Sequence, residues 1–196
     1  MIQSSDETSF GHFLTTIPPS DEFLTLNFSL SVASRNALWR NNGLSADFLG
    51  DYFAAFFPGE PLDQSEISRQ SQVQGCVSYI ANELLENAIK YSEKSIKSPI
   101  SITLYLYEQA IIFKTTNLSN LLITQKYQNF IHKLLQEDPS SLYIEQLEKT
   151  AMGTGGSNMG LLTMMNDYEA RFGWQFLPLR SQSNIFQVSV MAHLSV

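Results

Sequence analysis

The stretch "ANELLENAIKYSEK", Ala81–Lys94, decides the fold because it combines an apolar helix face with a line of polar side chains. At about 100° per residue, the angular step of an α-helix, Glu83, Asn87 and Lys90 fall within one narrow arc. The residues of the adjacent arc share apolar side chains and are predicted to face the core: Val77, Ile80, Ala81, Leu84, Leu85 and Ala88. The polar line therefore lies at the border between core and solvent, where a binding cleft is expected.

A second stretch, "MGTGGSNMG" at residues 152–160, is the most glycine-dense part of the chain and precedes an apolar helix. Glycine lets backbone N–H groups approach an anion closely, and a helix N-terminus adds unpaired donors. Each stretch also has a simpler interpretation. The polar line can be a solvated helix edge, worth a few tenths of a kcal/mol, and the glycine stretch can be a loop with a helix cap.

The composition is that of a globular protein. The chain has 196 residues, of which 43% are hydrophobic and 16% charged, and its formal net charge is −7. An acidic chain without a basic patch argues against nucleic-acid binding, and no segment approaches the roughly 18 apolar residues of a membrane span. Cys76 is the only cysteine, which favours a reducing compartment. We therefore expect a cytoplasmic protein without a nucleic-acid or membrane partner.

Hydrophobic patterns of period two and period 3.6 alternate along the chain. Strands are predicted at Phe23–Leu30, in a hairpin from Ile100 to about Thr116, and in "FGWQFLP" and "NIFQVSVMAHLSV". Helices are predicted from an N-cap at Ser45 to Pro58, from about Ser68 to Ser92, around "YQNFIHKLLQE", around "SSLYIEQLEK" with Asp138 as cap, and over "LLTMMNDYEA". We predict one domain, 1–196, with an N-terminal strand and aromatic-rich helix extension (1–66) on a core (67–196). The order predicts a two-layer α/β sandwich, a mixed, mostly antiparallel sheet with helices on one face.

The order of these features resembles the GHKL (histidine-kinase-like) ATP-binding fold, which includes gyrase-type, chaperone and histidine-kinase ATPases and the anti-sigma-factor serine kinases. "NELLENAIKYS" is similar to the N-box of that superfamily, and "GTGGSNMGL" to its second glycine box. The resemblance covers roughly residues 73–193. The chain is most similar to small anti-sigma-factor or SiaB-like serine/threonine kinases and to related cyanobacterial proteins, which "WRNNGLSADFLGDYFAAFFPGE" also resembles.

The resemblance implies ATP and Mg²⁺ as cofactors and a role for each matching residue. It implies that Glu83 acts as general base, that Asn87 binds Mg²⁺, that Lys90 faces phosphate and that Tyr91 lies beside the nucleotide. Four glycines are implied in the lid over the phosphates: Gly153, Gly155, Gly156 and Gly160.

One motif of the superfamily does not occur in this chain. An Asp-x-Gly-x-Gly box that recognises adenine is expected after the hairpin, where the sequence reads "IIFKTTNLSNLLITQ". Asn117 is nearest to the position of the aspartate, and its amide is able to accept a hydrogen bond from adenine.

Two functions follow, and the sequence leaves both open. In the first, the chain is an Mg-ATP-dependent serine/threonine kinase of a small regulatory protein partner. In the second, it is a catalytically degenerate module that regulates such a partner by binding. The aromatic helix containing Phe48, Tyr52, Phe53 and Phe56 is interpreted either as a partner or homodimer surface or as a cover for the core. Trp39 and Arg40 are candidate anchors in the first of these interpretations.

Overall fold

Strands and helices form one six-stranded sheet with a helical layer on one face. The computed structural model describes residues 7–29, 35–59, 68–93, 95–96, 98–152, 159–182 and 184–196. The strands are β1 (Thr8–Gly11), β2 (Glu22–Phe28), β3 (Ile100–Tyr107), β4 (Ala110–Asn120), β5 (Arg171–Pro178) and β6 (Ile185–Ser195). The helices are α1 (Arg35–Ala54), α2 (Arg69–Lys90), α3 (Leu121–Gln136), α4 (Pro139–Ala151) and α5 (Met159–Asn166).

The sheet has the strand order β1-β5-β6-β4-β3-β2, and every pairing among the described residues is antiparallel. Its register aligns Phe113 of β4 with Leu104 of β3 and Ala192 of β6. Because side chains alternate along a strand, these three residues share one face, and all three are buried in the core beneath the helices. The predicted two-layer α/β sandwich with helices on one face is confirmed.

Helix α2 lies at the centre of the helical layer and carries the polar line. Ser68 is its N-cap and accepts a hydrogen bond from the Ser71 N–H at 3.2 Å, which satisfies one of the free N–H groups of the first turn. The buried residues of α2 form the predicted apolar face: Val73, Val77, Ile80, Ala81, Leu84, Leu85 and Ala88. The predicted span and the predicted face of this helix are confirmed.

Helix α1 includes Ser45 in its interior, so the predicted N-cap at Ser45 is wrong. The helix is held by packing against α2, since its Leu49 and Phe53 are completely buried. Long-range packing of this kind outweighs the modest preference of one serine for a helix start. The predicted aromatic face is confirmed, since the ring of Tyr52 lies 6.1 Å from that of Phe48 and 5.7 Å from that of Phe56.

The residues of this aromatic face differ in exposure, so some cover the core and others are available for contact with a partner. Phe53 belongs to the core, whereas Phe48 and Phe56 each remain 49% exposed. The partner or homodimer surface therefore stays a prediction for these two residues. The side chains of Trp39 and Arg40 lie outside the described residues.

Strand β4 continues to Asn120, beyond the predicted end near Thr116, and α3 begins at the next residue. The Asn120 side chain accepts a hydrogen bond from the Ile123 N–H at 3.0 Å and so caps α3. This direct junction brings the first turn of α3 against the end of β4. The predicted cap of α4 is confirmed, because Asp138 accepts a hydrogen bond from the Ser141 N–H at 3.0 Å.

A short segment, residues 12–21, connects β1 at one edge of the sheet to β2 at the opposite edge. We call it the N-terminal crossover. It passes over the face opposite the helices, where the Leu14 N–H donates to Met191 Sδ at 3.4 Å and the Tyr107 hydroxyl donates to the Pro18 carbonyl at 2.7 Å. Neither β1 nor this crossover was predicted from the sequence.

Candidate functional site

A pocket lies between α2, the β4–β6 part of the sheet and the first turns of α3. Its lining residues share positions on the helix-facing side of the sheet or on the helices above it: Leu84, Asn87, Ala88, Tyr91, Thr115, Asn117, Ser119, Ile123, Thr124, Tyr127, Leu161, Val188 and Val190. The pocket admits the centres of water-sized molecules in about 20 Å³, which is room for roughly one water. A larger ligand therefore requires some of these side chains to move.

Three residues predicted from the sequence line this one pocket: Asn87 and Tyr91 from the end of α2, and Asn117 from β4. Asn117 is only 4% exposed. Its one described hydrogen bond, from Nδ2 to the Leu118 carbonyl, is 3.5 Å long, which is beyond the usual range for such bonds. Asn87 of the polar line and Asn117, the position nearest the missing aspartate, thus meet at one pocket.

Glu83 lies one turn before Asn87 and faces the start of α5. A methyl group built on Gly160 would lie 3.1 Å from Cγ of Glu83 and still closer to its carboxylate. Glycine at position 160 is therefore what allows the carboxylate and α5 to approach each other. Burial raises the pKa of Glu83, and the nearby Glu86 carboxylate raises it further, since both effects disfavour the charged form.

Tyr91 and Lys90 occupy the C-terminal end of α2, at the mouth of the pocket. The Tyr91 ring stacks on that of Tyr127 with 5.7 Å between centroids, and the Tyr91 carbonyl accepts a hydrogen bond from Ser119 at 2.7 Å. Lys90 is exposed, and its Nζ lies 5.4 Å from the centre of the Tyr91 ring. The ammonium group is therefore held beside the pocket and does not line it.

Four polar lining residues were missed by the sequence analysis: Thr115, Ser119, Thr124 and Tyr127. Thr115 precedes Asn117 by two residues on β4, and this strand periodicity was a signal that pointed to the same face. Tyr127 is partly buried, and burial of its hydroxyl raises its pKa. That hydroxyl accepts a hydrogen bond from the Trp174 indole at 2.9 Å. Thr124 is 1% exposed, and its hydroxyl has no hydrogen-bond partner among the described residues.

Among the described residues, those that line the pocket include no charged side chain. The hydroxyl and amide groups that line it are neutral and are able both to donate and to accept hydrogen bonds. The two charged residues of the polar line lie outside this lining: Glu83 is half-buried and Lys90 is exposed. A neutral, partly aromatic cavity beside an ammonium group suits a ligand with a planar, uncharged part and an anionic part.

The residues fit an Mg²⁺ ion that is bound together with a phosphorylated ligand. Among the described residues no group of three or more His, Cys, Asp or Glu side chains is placed to hold a metal. Mg²⁺ does not require such a cage, because it keeps several waters and commonly takes one or two protein oxygens besides substrate phosphates. The amide oxygen of Asn87 is the candidate protein ligand at this site.

The other predicted lid residues, Gly153, Gly155 and Gly156, lie outside the described residues. Gly160 lies in the first turn of α5. Within the described ranges, none of the helices is both long and apolar enough to span a membrane.

Comparison with solved structures shows that this fold occurs in another protein. No family model matches the sequence, and no curated protein matches it. Among solved structures, the chain is similar to one in the crystal structure of the SiaB–SiaC complex from Pseudomonas aeruginosa, with a TM-score of 0.56 and 13% sequence identity. The match covers 88% of this chain and 89% of that chain, so the two share a fold over nearly their whole length.

Proposed function

We propose that this protein binds Mg-ATP in the pocket between α2, β4 and α3 and acts in signalling as a serine/threonine kinase of a small protein partner. The observation that carries the proposal is the convergence of residues that are distant in sequence. Asn87 and Asn117 line one pocket, and Gly160 contacts Glu83 one helical turn away from it.

The parts of the nucleotide correspond to the parts of the site. The neutral pocket takes the base, with Tyr91 and Tyr127 as aromatic neighbours. Lys90, held at the mouth, offsets phosphate charge. The Asn87 amide supplies an oxygen to Mg²⁺, which when bound neutralises phosphate charge.

Glu83 is the candidate general base for transfer of a phosphoryl group to a hydroxyl. A carboxylate with a raised pKa accepts a proton more readily near neutral pH than an ordinary carboxylate does. Burial against Gly160 raises the pKa of Glu83 in this direction. Its place one turn before Asn87 puts it next to the proposed metal.

The partner is proposed from the shared fold. The structure that the chain resembles is that of a complex between two proteins, SiaB and SiaC. We propose that this chain likewise acts on, or docks with, a small protein, and that it does so in the cytoplasm. The half-exposed Phe48 and Phe56 of α1 offer one aromatic contact surface for a partner or a second copy.

A second candidate function is regulation by docking without catalysis. The narrow pocket favours this alternative, because it has about 20 Å³ for water-sized molecules and no carboxylate among the described residues that line it. It predicts the same protein partner but neither nucleotide binding nor phosphoryl transfer.

Thermal unfolding with Mg-ATP, Mg-ADP and no nucleotide separates the two functions. Nucleotide at about 100 times its Kd adds about 2.7 kcal/mol of stability, which raises the Tm of a chain this size by roughly 5–10 °C. We expect Asn87→Ala to abolish this shift. Asn82→Ala is the matched control, because Asn82 lies on the same helix and bonds to Glu86 at 3.0 Å, away from the pocket lining. If millimolar nucleotide does not change the Tm of the wild-type protein, nucleotide binding is refuted and the docking function remains.

Phosphoryl transfer to the partner tests the kinase assignment separately. Glu83→Gln is expected to retain Mg-ATP binding and to lower transfer about 10²–10⁴-fold, the usual contribution of a general base. Glu86→Gln, three residues along the same helix, removes a carboxylate outside the pocket lining. Because Glu86 makes only the smaller contribution to the raised pKa of Glu83, this variant is expected to retain most of the transfer. If Glu83→Gln transfers phosphoryl groups at the wild-type rate, the assignment of Glu83 as general base is wrong.

A further inference from the structure

We propose that Asn117 and Thr124 form the base-reading edge of the pocket and that this edge accepts guanine as well as adenine. The inference rests on the proposed nucleotide binding and specifies the class of nucleotide, namely purine nucleotides without strict choice between the two bases.

The first step is the unpaired hydroxyl of Thr124. Its Oγ1 is buried, has no hydrogen-bond partner among the described residues, and belongs to a side chain that lines the pocket. A buried polar group without a partner is costly, so its presence needs a reason. A ligand that supplies the missing hydrogen bond is such a reason.

The second step concerns the side-chain amide of Asn117, which is held only weakly. It lines the same pocket and is nearly as buried as Thr124, and its one described hydrogen bond is 3.5 Å long. An amide turned by 180° exchanges its donor for its acceptor. Because this hydrogen bond is weak, the Asn117 side chain is able to turn and to present either its N–H donor or its oxygen acceptor to a ligand.

The third step is the chemistry of the two purines. Adenine presents an amino donor and the N1 acceptor on its reading edge, whereas guanine presents the O6 acceptor and the N1–H donor. An amide and a hydroxyl both reverse their hydrogen-bonding sense. The pair therefore matches either base. A carboxylate in the place of Asn117 only accepts hydrogen bonds. Opposite the C6 substituent it would pair with the amino group of adenine and repel O6 of guanine.

The position of Thr124 explains why it reaches this edge. Helix α3 begins immediately after β4, with Asn120 as its cap. Thr124 therefore follows Asn117 after a single turn of helix, and both side chains line the pocket. Thr115 and Ser119 line it from the same strand, but the hydroxyl of Ser119 is already bonded to the Tyr91 carbonyl.

Titration calorimetry of the full chain with Mg-ATP and Mg-GTP tests the inference. We expect the two Kd values to agree within about tenfold, the worth of one net hydrogen bond. Thr124→Val, which removes the hydroxyl but keeps the shape, is expected to weaken both nucleotides by about two- to tenfold. Its Tm without nucleotide is expected to equal or exceed that of the wild type, because no internal hydrogen bond is lost. Thr25→Val is the control, since Thr25 is exposed and bonds to Thr103 away from the pocket.

Asn117→Asp tests the same edge by gain of discrimination. A fixed acceptor is expected to raise the preference for ATP over GTP at least tenfold above the wild-type value. If Asn117→Asp does not fold, the ratio of the wild-type Kd values for ATP and GTP and the affinities of Thr124→Val still test the inference.

The failures of the two proposals are distinguishable. If the wild type binds ATP more than about tenfold tighter than GTP, the permissive edge is refuted and nucleotide binding stands. If Thr124→Val binds both nucleotides like the wild type, or only lowers the Tm, Thr124 has a structural role and the edge is refuted. If the wild type binds neither nucleotide, the proposed function falls and this inference falls with it.

Discussion

Gly160→Ala is the substitution that best tests the contact between Glu83 and α5. The added methyl group would overlap the Glu83 carboxylate and lie 3.1 Å from its Cγ. No backbone atom is among its three nearest neighbours, all of which belong to the flexible Glu83 side chain. We therefore expect the carboxylate to swing out toward solvent while α5 stays in place.

The expected effect on stability is small because two contributions oppose each other. Alanine in place of glycine within a helix contributes up to about 1 kcal/mol, and moving one side chain away from its preferred position costs about 0.5–1.5 kcal/mol. The net change is thus within about 1 kcal/mol, or about 4 °C in Tm. The effect on phosphoryl transfer is large, since a misplacement of about 1 Å in a catalytic group costs on the order of 10²-fold.

Two assays check this reasoning, and one of them is independent of the kinase activity. Burial raises the pKa of Glu83, so its exposure in Gly160→Ala should lower that pKa toward the ordinary value in an NMR titration of the side-chain carboxyl groups. Gly75→Ala is the control, because a methyl group there meets no atom within 4 Å. It should stabilise α2 by up to about 1 kcal/mol and change neither readout. An unchanged Glu83 pKa together with unchanged transfer in Gly160→Ala would refute the proposed contact.

Three further predictions follow from other contacts. Gly50→Ala should destabilise the protein by about 1–3 kcal/mol in urea unfolding, because its methyl group would lie 2.8 Å from the backbone carbonyl oxygen of Gln74 on α2. An unchanged urea midpoint would contradict the close approach of the two helices. Tyr127→Phe should cost about 1–3 kcal/mol, since it leaves the buried Trp174 N–H without its acceptor. A Tm equal to that of the wild type would contradict this. Burial lowers the pKa of His193 below its ordinary value of 6.5, so stability is full above that value and falls as the pH drops toward the folded-state pKa. His193→Gln should therefore reduce the loss of stability between pH 7 and pH 5, and an unchanged loss would contradict it.

The parts of the fold that depend on local pattern were predictable from the sequence. Helix α2 shows why, because its apolar face, its N-cap Ser68 and its polar line are all encoded within one segment. The convergence of Asn87 and Asn117 on one pocket was also foreseen. In that case the information came from resemblance to a family, because neither residue signals the other locally.

The parts that depend on distant contacts were not predictable. In strand β1, Thr8 pairs with Phe176 of β5, and the sequence of residues 8–11 does not indicate which strand is its partner. The start of α1 was misplaced at Ser45 for the same reason, since packing against α2 overrides the local signal. Thr124 was missed because a threonine in an apolar helix has no feature that shows whether its hydroxyl is satisfied.

The N-terminal crossover has a consequence for the order in which the chain acquires its structure during synthesis. Residues 8–11 leave the ribosome well before their partner strand, Arg171–Pro178, is made. The hairpin of β3 and β4 closes a short loop and is able to form early, whereas β1 must wait until β5 and β6 have joined the sheet. Until then the face that carries Met191 lacks its cover and β5 presents an open edge. The need for chaperones should therefore be greatest before β5 and β6 are made, and it should fall once residues 8–11 pair with β5.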